Sequence, residues 1–185
     1  ASTTLCRKCS DPNGGRVRPP FFLFEGTGMG KIEIRPAVMQ DLPDILALYG
    51  VLDRELVAMQ PDFFCAAPRS EQETAAALAD TNAEFLLAVQ GGITVGFALV
   101  EYAGWTPAFS CVLPHRYARL SDIVVLPDLR GQGIGSALLG AAKRWARDRR
   151  LEYLELNVLA QNTAAMALYE SHDFVDATHT MRCML

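Results

Sequence analysis

From residue 31 onward the apolar positions follow two rhythms, a period of two and a period near 3.6, and the switches between them divide the chain into elements. Ile32 and Ile34 alternate with Lys31, Glu33 and Arg35, which predicts a half-buried strand. Ile45, Leu46, Leu48, Tyr49 and Leu52 then recur at helical spacing. Asp41 is placed to cap that helix, and Pro43 falls in its first turn, where a missing N–H costs little. Residues 60–69, with two prolines and Phe63–Phe64, read as a surface loop. Ser70 followed by Glu73 forms a capping-box pattern opening a second helix from Glu71 to Asp80. Phe85–Val89 and Ile93–Tyr102 flank Gly91–Gly92 and predict a hairpin. Residues 103–116, with Trp105, Pro107 and Pro114, read as a connecting loop. Further strands are predicted near 121–126 and at Glu152–Val158, and helices from Ile134 and over Thr163–Ser171. Phe174–Val175 and Thr180–Leu185 are expected to close the sheet as a hairpin.

Composition narrows the class. At 185 residues and 50% hydrophobic content the chain can build one domain with a sizeable core. Residues 1–30 are rich in Ser, Thr, Pro, Gly and Arg, with Phe21–Phe24 the one apolar cluster. They are expected to form an N-terminal extension without order of its own, ahead of a single domain at 31–185. No long apolar stretch ends in a small-residue cleavage site, so no secretory signal is expected. The net charge of −4 and pI near 5.4 argue against nucleic acid as a partner and suit a cationic small molecule. No apolar run approaches the ~20 residues that cross a bilayer, so no membrane partner is expected and a cytoplasmic location is. Cysteines 6, 9, 65, 111 and 183 do not form a secreted disulfide framework. Cys6 and Cys9 lack a second ligand pair, so no metal is expected. Cys111 and Cys183 are expected to be small buried hydrophobes.

The chemistry concentrates between Asp122 and Leu139. An apolar strand stops at Pro127 and Asp128, and Gly131, Gly133 and Gly135 lead straight into a helix. Glycines let backbone N–H groups approach an anion closely, the helix start adds partial positive charge, and Arg130 adds a full one. Val125-x-Pro127-x-x-Arg130-Gly-x-Gly-Ile-Gly135-x-x-Leu138 resembles the acetyl-CoA signature of the GNAT superfamily of N-acetyltransferases. A second block follows at the family's distance: Asn162-x-x-Ala165-x-x-Leu168-Tyr169, then Phe174.

That resemblance implies an α/β fold: a mixed, mostly antiparallel sheet flanked by helices, with the strands near 121–126 and 152–158 splaying apart to admit acetyl-CoA. It implies that Arg130 and the turn Gly131, Gln132, Gly133, Ile134, Gly135 and Ser136 hold the pyrophosphate. Ile123, Val124 and Val125 would offer backbone groups to the pantetheine arm and the thioester. Asn162, which can cap the following helix, would also touch that arm. Tyr169 would face the thioester sulfur as general acid; helical spacing alone favours a core aromatic instead.

Acetyl transfer to an amine also needs the amine neutral. At a lysine-like pKa, deprotonation at pH 7 costs about 4–5 kcal/mol. Asp122, a carboxylate in an apolar strand, and Glu101 on the neighbouring strand are the candidates to assist; Asp122 paired with Arg119 or His115 is the structural alternative. Polyamine-type members often carry an acidic pair where this chain has Ser121–Asp122. Asp173 stands where the family usually has glycine, and Asp tolerates the backbone angle such a loop needs. The expected activity is transfer of acetyl from acetyl-CoA to a primary amine of a small cationic substrate by direct attack, with a homodimer as one expected assembly. A protein or peptide N-acetyltransferase and a silent acyl-CoA-binding module are the alternatives. A dinucleotide-binding fold fits less well, because Ser136 replaces its third glycine and too little chain follows to complete a doubly wound sheet.

Overall fold

A computed structural model describes residues 22–24, 31–65, 67–105, 111 and 113–184. Six strands form one sheet whose spatial order follows chain order. They are β1 (Phe22–Phe24), β2 (Ile32–Pro36), β3 (Ala83–Gln90), β4 (Ile93–Trp105), β5 (His115–Val125) and β6 (Leu154–Leu156). Every neighbouring pair is antiparallel except β5 and β6. Helices α1 (Leu42–Met59) and α2 (Glu71–Ala79) precede β3, α3 (Ile134–Asp148) joins β5 to β6, and α4 (Thr163–Glu170) follows β6. No helix among the described residues is long and apolar enough to cross a membrane.

Strand alternation builds a core on each face of the sheet. On one face Ile34, Ala88, Ala98 and Leu120 meet Leu138, Ala142 and Trp145 of α3 and Tyr169 of α4. On the other, Phe85, Leu87, Phe97 and Val124 meet Ile45, Leu48 and Tyr49 of α1 and Leu78 of α2. Side chains of this size contribute roughly 1.5–3 kcal/mol each when fully buried, as Ile45, Leu87 and Leu138 are. The Ser70 hydroxyl accepts the Glu73 N–H at 3.2 Å and starts α2 as its capping pattern predicts. Asp41 does not cap α1. Its carboxylate turns back to receive two hydrogen bonds from Arg35, both 2.7 Å, and one from the Val38 N–H at 2.8 Å. The Arg35 guanidinium therefore holds that carboxyl below the ordinary aspartate range.

One irregularity sets the face of everything downstream in β5. Leu99 pairs with Asp122, but Val100 pairs with Leu120, so Ser121 is an extra residue. Leu120 faces α3, as its place in that cluster shows. Without the bulge Asp122, two residues on, would face α3 as well. With it, Asp122 and Val124 face α1.

Two expectations are corrected. Residues 103–116 are not all loop: β4 runs on to Trp105 and β5 begins at His115, with the two residues paired. The parallel strands do part as expected, joining only at Ala118–Leu154, Arg119–Glu155 and Leu120–Leu156. The closing hairpin is absent among the described residues. Asp173 takes φ 63°, which ends any extended run, and Phe174 packs into the α3 core. Beyond it Val175 and Met181 are 87% and 92% exposed, with no apolar face to drive pairing. The positive φ at Asp173 is the angle its replacement of glycine required. The expectation for residues 1–30 lies outside the described residues, save Phe22–Phe24, whose backbone pairs with β2.

Gly96 holds β4 close to β5, because a Cβ there would lie 2.6 Å from the Val124 carbonyl oxygen. Gly96→Ala is expected to destabilise by about 1–3 kcal/mol through forced backbone movement. Gly91, at φ 58° with nothing within 4 Å, has only its backbone angle at stake. Gly91→Ala is therefore expected to cost about 1–2 kcal/mol. Thermal melts of both variants check the strand approach: Gly96→Ala should melt lower by several degrees, and an unchanged melting temperature would show that β4 and β5 are not so close.

Candidate functional site

The site grows from the far end of β5. From Ala118 to Leu120 the strand is paired on both sides; from Asp122 to Val125 it keeps β4 but has no partner in β6 among the described residues. The backbone edge of Ile123, Val124 and Val125 is thereby open on one side. Ile123 and Val125 are partly buried against the α3 core, and Val124 is buried against α1.

After Val125 the chain is pinned and turned. Leu126 donates to the Val95 carbonyl at 2.9 Å, and Pro127–Leu129 forms a single 3-10 turn. Gly131 and Gly133 adopt φ 73° and 82°, angles open to glycine at little cost. Gly133 then becomes the N-cap of α3 without any side-chain cap. Ala137 N–H to the Gly133 carbonyl is the first helical bond, so the N–H groups of residues 133–136 have no acceptor within the helix. At Gly131 nothing lies within 4 Å of where a Cβ would be, so the approach to these donors is open. Gln132 is exposed, and Ile134 is buried and anchors the helix start in the core. Gly135 is small for a second reason: a Cβ there would stand 3.0 Å from Leu168 Cδ2, so α4 packs directly on the start of α3.

Arg130 lies beside this turn and is already engaged. Its Nε donates to the Val125 carbonyl at 3.0 Å, and its Nη2 donates to Glu55 Oε1 of α1 at 2.5 Å. Asn162 caps α4, accepting the Ala165 N–H on its side-chain oxygen at 3.2 Å. Tyr169 is buried at 8% exposure, with its ring 5.8 Å from that of Phe174. The Tyr169 carbonyl accepts the N–H groups of His172 and Phe174, which locks the end of α4. Burial pushes the Tyr169 phenol up to about 12.

Asp122 faces α1. Its Oδ2 accepts the Tyr49 hydroxyl at 3.0 Å. Burial raises its pKa above the ordinary aspartate value, while the Tyr49 hydrogen bond and nearby Arg69 pull the other way. Neither Arg119 nor His115 pairs with it: Arg119 reaches Glu155 at 3.5 Å, and His115 reaches Glu152 at 2.6 Å. Glu101 lies one step along β4 and accepts the Ser121 hydroxyl, so the bulge residue ties the second carboxylate to the first. Cys111 and Cys183 are exposed rather than buried; neither finds a place in a core already filled by larger aliphatic groups. Residue patterns alone pass over Tyr49, Asp53, Glu55 and Arg69. Tyr49 reads there as one apolar position of α1, and a contact spanning 73 residues leaves no local signal.

Comparison with known proteins matches this geometry. The Acetyltransferase (GNAT) family profile matches residues 51–174. An uncharacterised N-acetyltransferase of Bacillus subtilis, YhfO, is 32% identical over 103 residues, covering 56% of this chain and 66% of that protein. A thialysine N-ε-acetyltransferase of Bos taurus is 36% identical over 91 residues, covering 48% of this chain and 49% of that protein. The chain spans about half to two thirds of the length of the first curated relatives it matches. Among solved structures, a mutant of the BH1408 protein of Bacillus halodurans superposes with a TM-score of 0.78 at 23% identity, over 82% of this chain and 98% of that one. With more than half of its length inside the family profile, the chain belongs to the acetyltransferase (GNAT) family.

Proposed function

We propose that the protein transfers the acetyl group of acetyl-CoA to a primary amine of a small cationic molecule by direct attack. The observation that carries this reading is the open edge of β5 running straight into an uncapped helix start. The edge can pair with the amide-bearing pantetheine arm, and the N–H groups of residues 133–136 can hold a diphosphate. Arg130 fits the same anion, exchanging Glu55 for it.

Three groups then do the chemistry. Backbone N–H groups on the β5 edge polarise the thioester carbonyl as it gains negative charge. Asp122, raised by burial, receives the acceptor's ammonium and takes its proton directly or through water, with Glu101 as a second carboxylate beside it. Tyr169 donates a hydrogen bond to the departing sulfur. Its phenol at about 12 stays neutral at physiological pH. Against a thiol pKa near 8.5, complete proton transfer from it would run uphill by roughly 5 kcal/mol, so its contribution is a hydrogen bond to the developing thiolate. Acidic side chains at the acceptor end favour a cationic amine. The thialysine-acetylating relative is in keeping with such an acceptor.

Gly133→Glu is expected to weaken acetyl-CoA binding by on the order of 10²-fold, because a side chain and a like charge enter the anion site. The φ of 82° adds strain of about 1–2 kcal/mol, lowering the melting temperature by a few degrees. Unchanged acetyl-CoA affinity in calorimetry would sink the assignment of this turn. Tyr169→Phe keeps the ring and its packing, and is expected to lower kcat by on the order of 10²-fold with little change in acetyl-CoA affinity. A thiol-release screen over polyamines, aminoglycosides, amino acids and lysine peptides supplies the acceptor. Equal turnover by wild type and Tyr169→Phe would remove that hydroxyl from the mechanism.

Asp122→Asn separates function from stability. Because the folded-state pKa is raised, the folded chain holds the extra proton between the unfolded and folded pKa values, and stability falls as pH rises through that window. Asparagine retains an oxygen for the Tyr49 hydroxyl. The variant is expected to melt higher than wild type at pH 8, with the gap closing toward pH 4, while turnover drops on the order of 10²-fold. Thermal melts at the two pH values and one rate measurement check this; full turnover would take Asp122 out of the reaction.

A further inference from the structure

Asp122 is held by a stack of side chains that starts outside both signature blocks. Asp53, on α1, receives Arg69 through Nε at 3.1 Å and Nη2 at 2.7 Å. The Arg69 guanidinium lies over the Tyr49 ring, 4.7 Å from its centre. The Tyr49 hydroxyl, at the opposite end of that ring system, donates to Asp122 Oδ2 at 3.0 Å. Phe97 and Phe85 meet Tyr49 edge-on at 4.9 and 6.3 Å, and Tyr49 is 5% exposed. A ring wedged on three sides has one orientation available. We propose that Tyr49 is the positioning residue of the transfer site, fixing one oxygen of Asp122 from α1 and setting the pH range in which that carboxylate accepts a proton.

The inference rests on Asp122 acting as proton acceptor and goes beyond it, because it assigns control of that group to α1. With Oδ2 bound to Tyr49, Oδ1 is the oxygen left for the acceptor. Four groups face the carboxylate. Tyr49 from α1 and Arg69 from the loop before α2 favour its charged form; Glu101 from β4 and Asp53 from α1 oppose it, as burial does. Among these Tyr49 alone makes a direct hydrogen bond to the carboxylate among the described residues. A donor to the charged form lowers a carboxyl pKa, so removing it must raise that pKa. The carboxylate would then be protonated over more of the physiological range, and the acidic limb of the rate profile would move to higher pH.

Tyr49→Phe tests this while keeping all three rings. In protein carrying carboxyl-¹³C aspartate, the Asp122 resonance is the one missing from Asp122→Asn. It is expected to titrate about one pH unit higher in Tyr49→Phe than in wild type. The acidic limb of kcat/KM, measured with thialysine or whichever polyamine or aminoglycoside wild type acetylates, should move by the same amount. An Asp122 titration unmoved by Tyr49→Phe overturns the inference even where Asp122→Asn abolishes turnover. Conversely, a moved titration in a protein whose Asp122→Asn variant keeps full turnover leaves Tyr49 controlling Asp122 and takes the carboxylate out of the reaction. A merely structural Tyr49 would change the melting temperature and leave the titration where it was.

Discussion

A single extra residue in β5 governs the geometry of the site. Strand alternation is strict, so a carboxylate two positions after Leu120 belongs by default on the face of the apolar α3 core. The bulge at Ser121 reverses that assignment and delivers Asp122 to the Tyr49 hydroxyl. The same bulge comes just where β5 parts from β6, so the chain turns its acid toward one face and opens its backbone edge within a few residues. Bulges raise local twist as well as shifting register, which is consistent with the two parallel strands diverging from this point. The turned acid and the open backbone edge are thus two results of one irregularity.

The helices on the two faces divide the labour. On one side α3 and α4 carry the glycine turn and the buried phenol, joined where Leu168 closes over Gly135. On the other, α1 supplies Tyr49 to the acid and Glu55 to Arg130. A helix with no part in either signature block therefore touches both ends of the site. Burying Asp122 with one neutral donor is unfavourable in the resting protein, and the neighbouring Arg69 offsets only part of that penalty.

Features set by residues close in sequence were legible beforehand. The glycine turn, the Asn162 and Ser70 caps, the Gly91–Gly92 hairpin and the positive φ at Asp173 each depend on a few adjacent residues, and each stands where the pattern placed it. Asp41 resembled a cap by the same logic, but a bidentate arginine six residues upstream outcompeted the helix for its oxygens. The bulge was not legible, because register depends on which residues of β4 lie opposite. Nor was the partner of Asp122: Arg119 and His115 were near in sequence, and the partner came from α1. The hairpin expected after Phe174 failed for want of a buried face, not for want of β-forming residues.

The consecutive order of the sheet has a consequence for how the molecule opens. Strands β3, β4 and β5 pair with their sequence neighbours across short connections, whereas β2 meets β3 only across α1 and α2. The pairing of β6 must wait for the whole of α3, and it then secures only three residue pairs. Segments held by few bonds across a long loop are the ones that open locally with least free energy, ahead of global unfolding. Amide exchange in β6 and α4 should therefore be faster than in the central strands. A molecule that bridges the open edge of β5 and the start of α3 would act as the missing rungs of the ladder, protecting this late-joining half while leaving β2 to β4 indifferent to its presence.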